Sequence, residues 1–127
     1  MRLQKQDIPV KIAVPGAVAR QLPDFGSAAG TLGAEYFTLA AGTDLAPLLA
    51  GLDSDMCHSV HWGYLIAGRV VVSYRDGAEE ICNGGDVFFW PAFHSVRVEE
   101  DAEIVLFSPQ QEHGDVMDHI LAKIAAM

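Results

Sequence analysis

Metal-capable side chains crowd the stretch Asp55-Met-Cys57-His58-Ser-Val-His61. In an extended chain alternate residues share a face, so Asp55, Cys57, Ser59 and His61 project one way and Met56, His58 and Val60 the other. One face therefore offers a carboxylate, a thiol and an imidazole at i, i+2 and i+6. His58 joins that face only if a bulge turns it. A coordinating thiol must give up its proton, and a ligating imidazole must be neutral and held by a partner. Downstream, Gly84-Gly-Asp-Val-Phe-Phe-Trp-Pro-Ala-Phe-His94 places another histidine just after a proline, at the start of a strand. Two β-segments that each carry a histidine at a turn can bring those side chains together inside a barrel.

The elements that must position these residues read as short strands. Tyr64 to Ala67 is a buried run that Gly68 ends, and Arg69 to Tyr74 is β-branched. Asp76-Gly77 supplies a tight hairpin turn, Ala78 to Cys82 pairs back, and Asn83-Gly84-Gly85 turns again. Asp86 to Trp90, His94 to Glu99 and Ala102 to Ser108 follow. Upstream, Val10, Ile12 and Val14 alternate between Pro9 and Pro15, as on an edge strand. Ala17 to Leu22 is a strand fragment, residues 23–33 a glycine-containing loop, and Ala34 to Ala40 a strand. Leu45 to Gly51 has helical composition, but Pro47 favours an extended segment. Strands separated by turns at this spacing indicate a sandwich or barrel. Only the tail changes period: Val116, Met117, Ile120, Leu121 and Ile124 predict one amphipathic helix over about 115–126. His113 and His119, near or on that helix, are expected in solvent.

The chain of 127 residues suits a single domain with one core. Half its residues are hydrophobic (50%) and 20% are charged, which marks a globular protein rather than a disordered one. A net charge of −9 without any basic cluster argues against nucleic acid or an anionic membrane as partner. No apolar run reaches the ~18 residues of a membrane span. The start lacks the apolar stretch of a signal peptide, so the cytoplasm is the expected location. Two cysteines, Cys57 and Cys82, imply free thiols rather than a disulfide framework. Glu79-Glu80 and Glu99-Glu100-Asp101 read as solvated acidic surface at turns, and no nucleophile triad is supported.

The spacing of glycines, histidines and proline resembles the cupin family. That family carries His-x-His, then Glu, then Gly seven positions on; here Gly68 lies seven positions after His61, with Asp55 and Cys57 where the histidines stand. In the second motif Gly85 and Pro91 match in spacing, and His94 matches the last histidine. The segment His61-Trp-Gly-Tyr, then an apolar run and Gly, is similar to small single-domain bacterial cupins, which carry Gly where this chain has Phe93. The resemblance covers about residues 34–108. It implies an all-β, double-stranded β-helix (jelly-roll) barrel there, N-terminal strands at about 8–22 and a short C-terminal helix, all in one domain. It also implies a homodimer, in which the N-terminal strand adds to the partner's sheet.

On that resemblance His61, His94 and Cys57 are the expected metal ligands, with Asp55 and His58 as further candidates. Two imidazoles and a thiolate suit zinc, ferrous iron, nickel or copper better than magnesium or calcium. Tyr64, Phe88, Trp90 and Phe93 are candidates for lining a small-molecule pocket, though a barrel also needs bulky filling. Ordinary residues explain much of this too: a barrel-lining histidine held by a neighbour, or a buried thiol serving as a small apolar filler. Three functions therefore stand open. One is a metal-dependent oxygenase or isomerase acting on a small polar substrate. Another is a metal-free ligand-binding or sensing dimer. A mainly structural dimer is a third.

Overall fold

A computed structural model describes residues 1–127. Eight strands form one antiparallel sheet system: β1 (Val10–Val14), β2 (Ala17–Leu22), β3 (Ser27–Ala28), β4 (Gly30–Leu39), β5 (His61–Tyr74), β6 (Glu79–Asn83), β7 (Val87–Trp90) and β8 (His94–Pro109). Two helices complete it, α1 (Ala46–Leu49) and α2 (Gln110–Ala125). The strands run in the order β1-β2-β4-β8-β5-β6, with β7 paired to the first half of β5 and β3 to β4.

Two long strands close the barrel. β5 and β8 pair along most of their lengths, from Trp62 opposite Phe107 to Tyr74 opposite His94. The register shifts between Leu65 and Val70, so the pair bends there instead of stopping. Gly68 was expected to end a strand; it turns one. Its φ is +94°, and a Cβ at this position would lie 2.2 Å from the Asp101 carbonyl oxygen. The Glu99-Glu100-Asp101 run likewise lies inside β8 rather than at a turn, with Arg69 reaching Glu99 and Glu100 at 3.6 Å each.

Alternation decides what faces inward. Leu65, Val70, Val72, Phe88, Trp90, Val96, Val98, Ile104 and Leu106 form the barrel core. A second cluster, Ile12, Ala19, Leu49, Cys57, Val116, Met117 and Ile120, joins the β1–β2 hairpin to the helices. Both thiols are free and buried.

Several local expectations are corrected. Ala46–Leu49 is helical because Pro47 sits in the first turn, where no intrahelical N–H bond is lost. β4 begins at Gly30, inside the stretch expected to be loop. Finally, α2 starts at Gln110 rather than near 115: Gly114 is carried through the helix, and the buried residues His113, Val116, Met117 and Ile120 keep helical spacing. Leu121, expected in that stripe, is 39% exposed. His119 is half-buried, and its Nε2 lies 2.8 Å from the Ala50 carbonyl oxygen, tying α2 to α1.

Substituting Gly68→Ala combines a positive φ with a backbone clash, and the expected loss of unfolding free energy is about 1–3 kcal/mol. Urea denaturation checks it; an unchanged midpoint would mean that the bend does not depend on glycine.

Candidate functional site

His61 opens β5 and His94 opens β8, so each is the first inward residue of a long strand. Cys57 precedes β5 and is held on His94 by the backbone: its N–H donates to the His94 carbonyl at 2.9 Å, and its carbonyl accepts from Phe93 N–H at 2.7 Å. The expected alternation survives over this short segment, with Cys57, Ser59 and His61 all buried. As a result the Cys57, His61 and His94 ligand atoms lie within 4.8 Å of one another.

The other expected ligands stand apart. Asp55 is exposed because a 3₁₀ turn at Asp53–Asp55 replaces the extended chain, and its carboxylate accepts from Gly51 N–H at 2.9 Å. His58 points away from Cys57 and His61, as regular alternation requires, and lies outside the cluster.

Three residues that the sequence does not assign to the site complete it. Glu35 on β4 has no exposed surface. Its carboxylate receives the Ser108 hydroxyl and lies against His113 Nδ1, with Gln21 Nε2 at 3.5 Å. Ser108 is the last inward residue of β8, and its Oγ is also 2.6 Å from His61 Nδ1. His113, expected in solvent, is only 4% exposed, and its ring centroid lies 4.3 Å from that of His61. Each carried a signal in its pattern. Glu35 shares the inward face of β4 with Phe37 and Leu39, Ser108 follows Ala102, Ile104 and Leu106, and His113 precedes Val116, Met117 and Ile120 at helical spacing.

Hydrogen-bond chemistry assigns the tautomers. The Ser108 hydroxyl has one proton and donates it to Glu35, so it accepts from His61 Nδ1–H. The remaining lone pair of His61, on Nε2, faces Cys57 Sγ at 3.5 Å. His94 Nδ1 lies 2.7 Å from the Pro91 carbonyl, which can only accept, so His94 also keeps a lone pair on Nε2. Both rings thus offer a bare nitrogen. Burial, with His113 and His94 nearby, holds His61 well below the ordinary imidazole range. Burial likewise lowers His94 to about 4, against the Pro91 hydrogen bond that favours its charged form. The Cys57 thiol is pushed up to about 12, chiefly by burial. It keeps its proton unless a cation replaces it.

Beside the cluster lies a cavity of about 50 Å³ whose 16 lining residues are mostly hydrophobic. Trp90 lines it. The other aromatic candidates do not. Phe88 stacks on Trp90 in the core at 3.9 Å, and Tyr64 points outward, 41% exposed. Phe93 faces a surface groove beneath Arg75, 4.0 Å from its ring, and adopts φ +66° where the resembled proteins have Gly.

Comparison with known structures settles the class of fold. Ectoine synthase from P. lautus superposes with TM-score 0.60 at 14% identity, covering 87% of this chain and 77% of that one. An RmlC-like cupin from Shewanella frigidimarina NCIMB 400 gives 0.57 at 19% identity, covering 87% and 92%. Oxalate decarboxylase from Bacillus subtilis, with Mn(II) centres, gives 0.56 at 21% identity, covering 82% of this chain and 28% of that one. No protein-family profile matches the chain, and no curated protein matches it either. The chain is a small cupin-domain protein in fold, a jelly-roll barrel with a C-terminal helix. Some proteins of this fold are metal-dependent, and this chain has buried His, Cys and Glu groups that could hold a metal. No helix is long and apolar enough to cross a membrane.

The lowered imidazole of His94 sets a pH dependence for the metal-free protein. Unfolded histidine takes up its proton near pH 6.5, but folded His94 does so only near pH 4. The unfolded state therefore binds more protons in that window, and stability falls as pH drops from 6.5 toward 4. At pH 5 the His94 share of the loss is about 2 kcal/mol. Urea denaturation at pH 7 and pH 5 measures it, and His94→Gln, which cannot protonate, should remove that share.

Proposed function

We propose that the chain holds one divalent transition metal through Cys57 Sγ, His61 Nε2 and His94 Nε2 and uses it on a small molecule in the adjoining cavity. The observation that carries this reading is the convergence of two lone-pair nitrogens on a buried thiol, each ring fixed by a hydrogen bond on its far side. Two imidazoles and a thiolate favour zinc, iron, nickel or copper. When bound, such an ion supplies Lewis-acid or redox chemistry at a position open to the cavity. The chain's own residues do the rest. Ser108 and Glu35 hold His61 in orientation, Pro91 holds His94, and Trp90 with the aliphatic lining keeps water out.

The proposed partner is a second copy. β5 turns Trp62, Tyr64 and Ile66 outward, and β7 adds Val87 and Phe89 opposite Tyr64 and Trp62. These five side chains are 39% to 83% exposed on one face of the sheet, and a second copy would bury them.

Titration with Co²⁺ tests the centre. Wild type should bind about one ion per chain and show a thiolate-to-cobalt charge-transfer band. Cys57→Ser should lose that band, and His61→Ala or His94→Ala should abolish tight binding. Ser108→Ala, which touches no metal, should weaken affinity about 10–100-fold. Folded wild type that takes up neither Co²⁺ nor zinc, iron, nickel or copper would leave the metal-free binding function standing. Sedimentation velocity tests the partner: wild type should be dimeric and Trp62→Glu monomeric.

A further inference from the structure

The residues around the cavity restrict what it can hold. Its polar groups are Cys57, His61, His94, Ser95 and His113, and neither Lys nor Arg lines it. Six of the chain's eight Lys and Arg residues are engaged elsewhere, at the surface. Lys5 pairs with Glu103, Lys11 with Asp118, Arg97 with Glu79 and Arg69 with Glu99 and Glu100. Arg75 covers Phe93, and Arg20 donates to backbone carbonyls. A divalent ion would change this only in part. The ionised Cys57 and the nearby Glu35 carboxylate would offset part of its charge. An anionic ligand would lose its hydration there and meet no Lys or Arg in the lining.

A second chamber adjoins the first. It measures about 150 Å³, and 11 of its 13 lining residues are hydrophobic. It lies between the β1–β2 hairpin and the helices, lined by residues such as Ile12, Ala19 and Leu48, with Ile124 from the last turns of α2. Phe37, Leu39, Leu45, Met117 and Ile120 line both chambers, so the partition between them is one side chain thick. Met117 is its most adaptable member, an unbranched thioether. An apolar cavity of about this volume accommodates benzene or xenon without water, and a ligand of that size reaches the inner cavity of about 50 Å³ only when Met117 swings aside.

We propose that the ligand of this site is a neutral, apolar small molecule that enters through the chamber under α2 and reaches Cys57, His61 and His94 past Met117. The assignment of the reacting centre rests on the metal reading above; the ligand class and route rest on the lining. This replaces the polar substrate expected from sequence resemblance. α2 is therefore a roof over the entry as well as a packing element.

The test uses toluene and benzoate, a neutral and an anionic probe of similar size, with full-length protein in metal-free and Co²⁺-loaded forms. Amide and histidine-ring NMR shifts report binding in each chamber, and the cobalt absorption spectrum reports arrival at the centre. Toluene should shift resonances in both chambers, and benzoate should bind at least about tenfold more weakly, a difference near 1.4 kcal/mol. Ile124→Trp fills the outer chamber without lining the inner one and should weaken toluene binding. Met117→Ala opens the partition and should tighten it. Thermal melts by circular dichroism confirm that both variants are folded. Benzoate binding as tightly as toluene would overturn the ligand class, and inner-chamber binding unaffected by Ile124→Trp would overturn the route. If Co²⁺ is not taken up while toluene still shifts His61 and His94, the metal reading fails and this one stands. If Co²⁺ binds but toluene leaves its spectrum unchanged, the reverse holds.

Discussion

A carboxylate without exposed surface, Glu35, is the constraint on which the rest of the site depends. A buried charge is tolerable only when hydrogen bonds replace its lost water. Here the partners come from distant parts of the chain: Ser108 at the end of β8 and, at longer range, Gln21 on β2 donate to it, and His113 in the first turn of α2 lies against it. Satisfying Glu35 therefore fixes three elements at once. It anchors the start of α2 over the barrel end, and it turns the Ser108 hydroxyl so that its lone pair receives His61 Nδ1–H. The bare nitrogen of His61 is a consequence of where Glu35 needs its protons.

The barrel supplies the second half of the arrangement. Because β5 and β8 bend without breaking, each contributes to both ends of the molecule. His61 and Ser108 come from one end of that pairing, and His94 from the other. Gly68 makes this possible, since a side chain there would meet the Asp101 backbone. The Cys57–His94 backbone bridge then closes the thiol onto the second histidine.

Fold likeness says little about chemistry, since one fold carries many activities. Proteins as different as ectoine synthase and oxalate decarboxylase share this barrel at low identity. What separates this chain is its own donor set. A thiol stands where the resembled motif has an imidazole, an imidazole where it has a carboxylate, and the carboxylate itself appears on β4 behind the ligands. The adjoining cavity is lined mostly by hydrophobic residues and by neither Lys nor Arg.

Strand alternation, turn residues and motif spacing determined the all-β barrel, the C-terminal helix and the pairing of His61 with Cys57 on one face, because these are local periodicities. The same alternation set Phe88 and Trp90 against Phe89, which lies outside. Asp55 was misplaced because a short 3₁₀ turn resets the alternation, and nothing in residue type announces it. Phe93 left the pocket because its positive φ and the Arg75 stack turn it outward. Glu35 and Ser108 are polar residues within strand-like runs, and His113 reads from the sequence as a solvent residue. Their meeting point required tertiary contact, since Glu35 and Ser108 are 73 residues apart and no local pattern encodes which buried donor finds which buried acceptor.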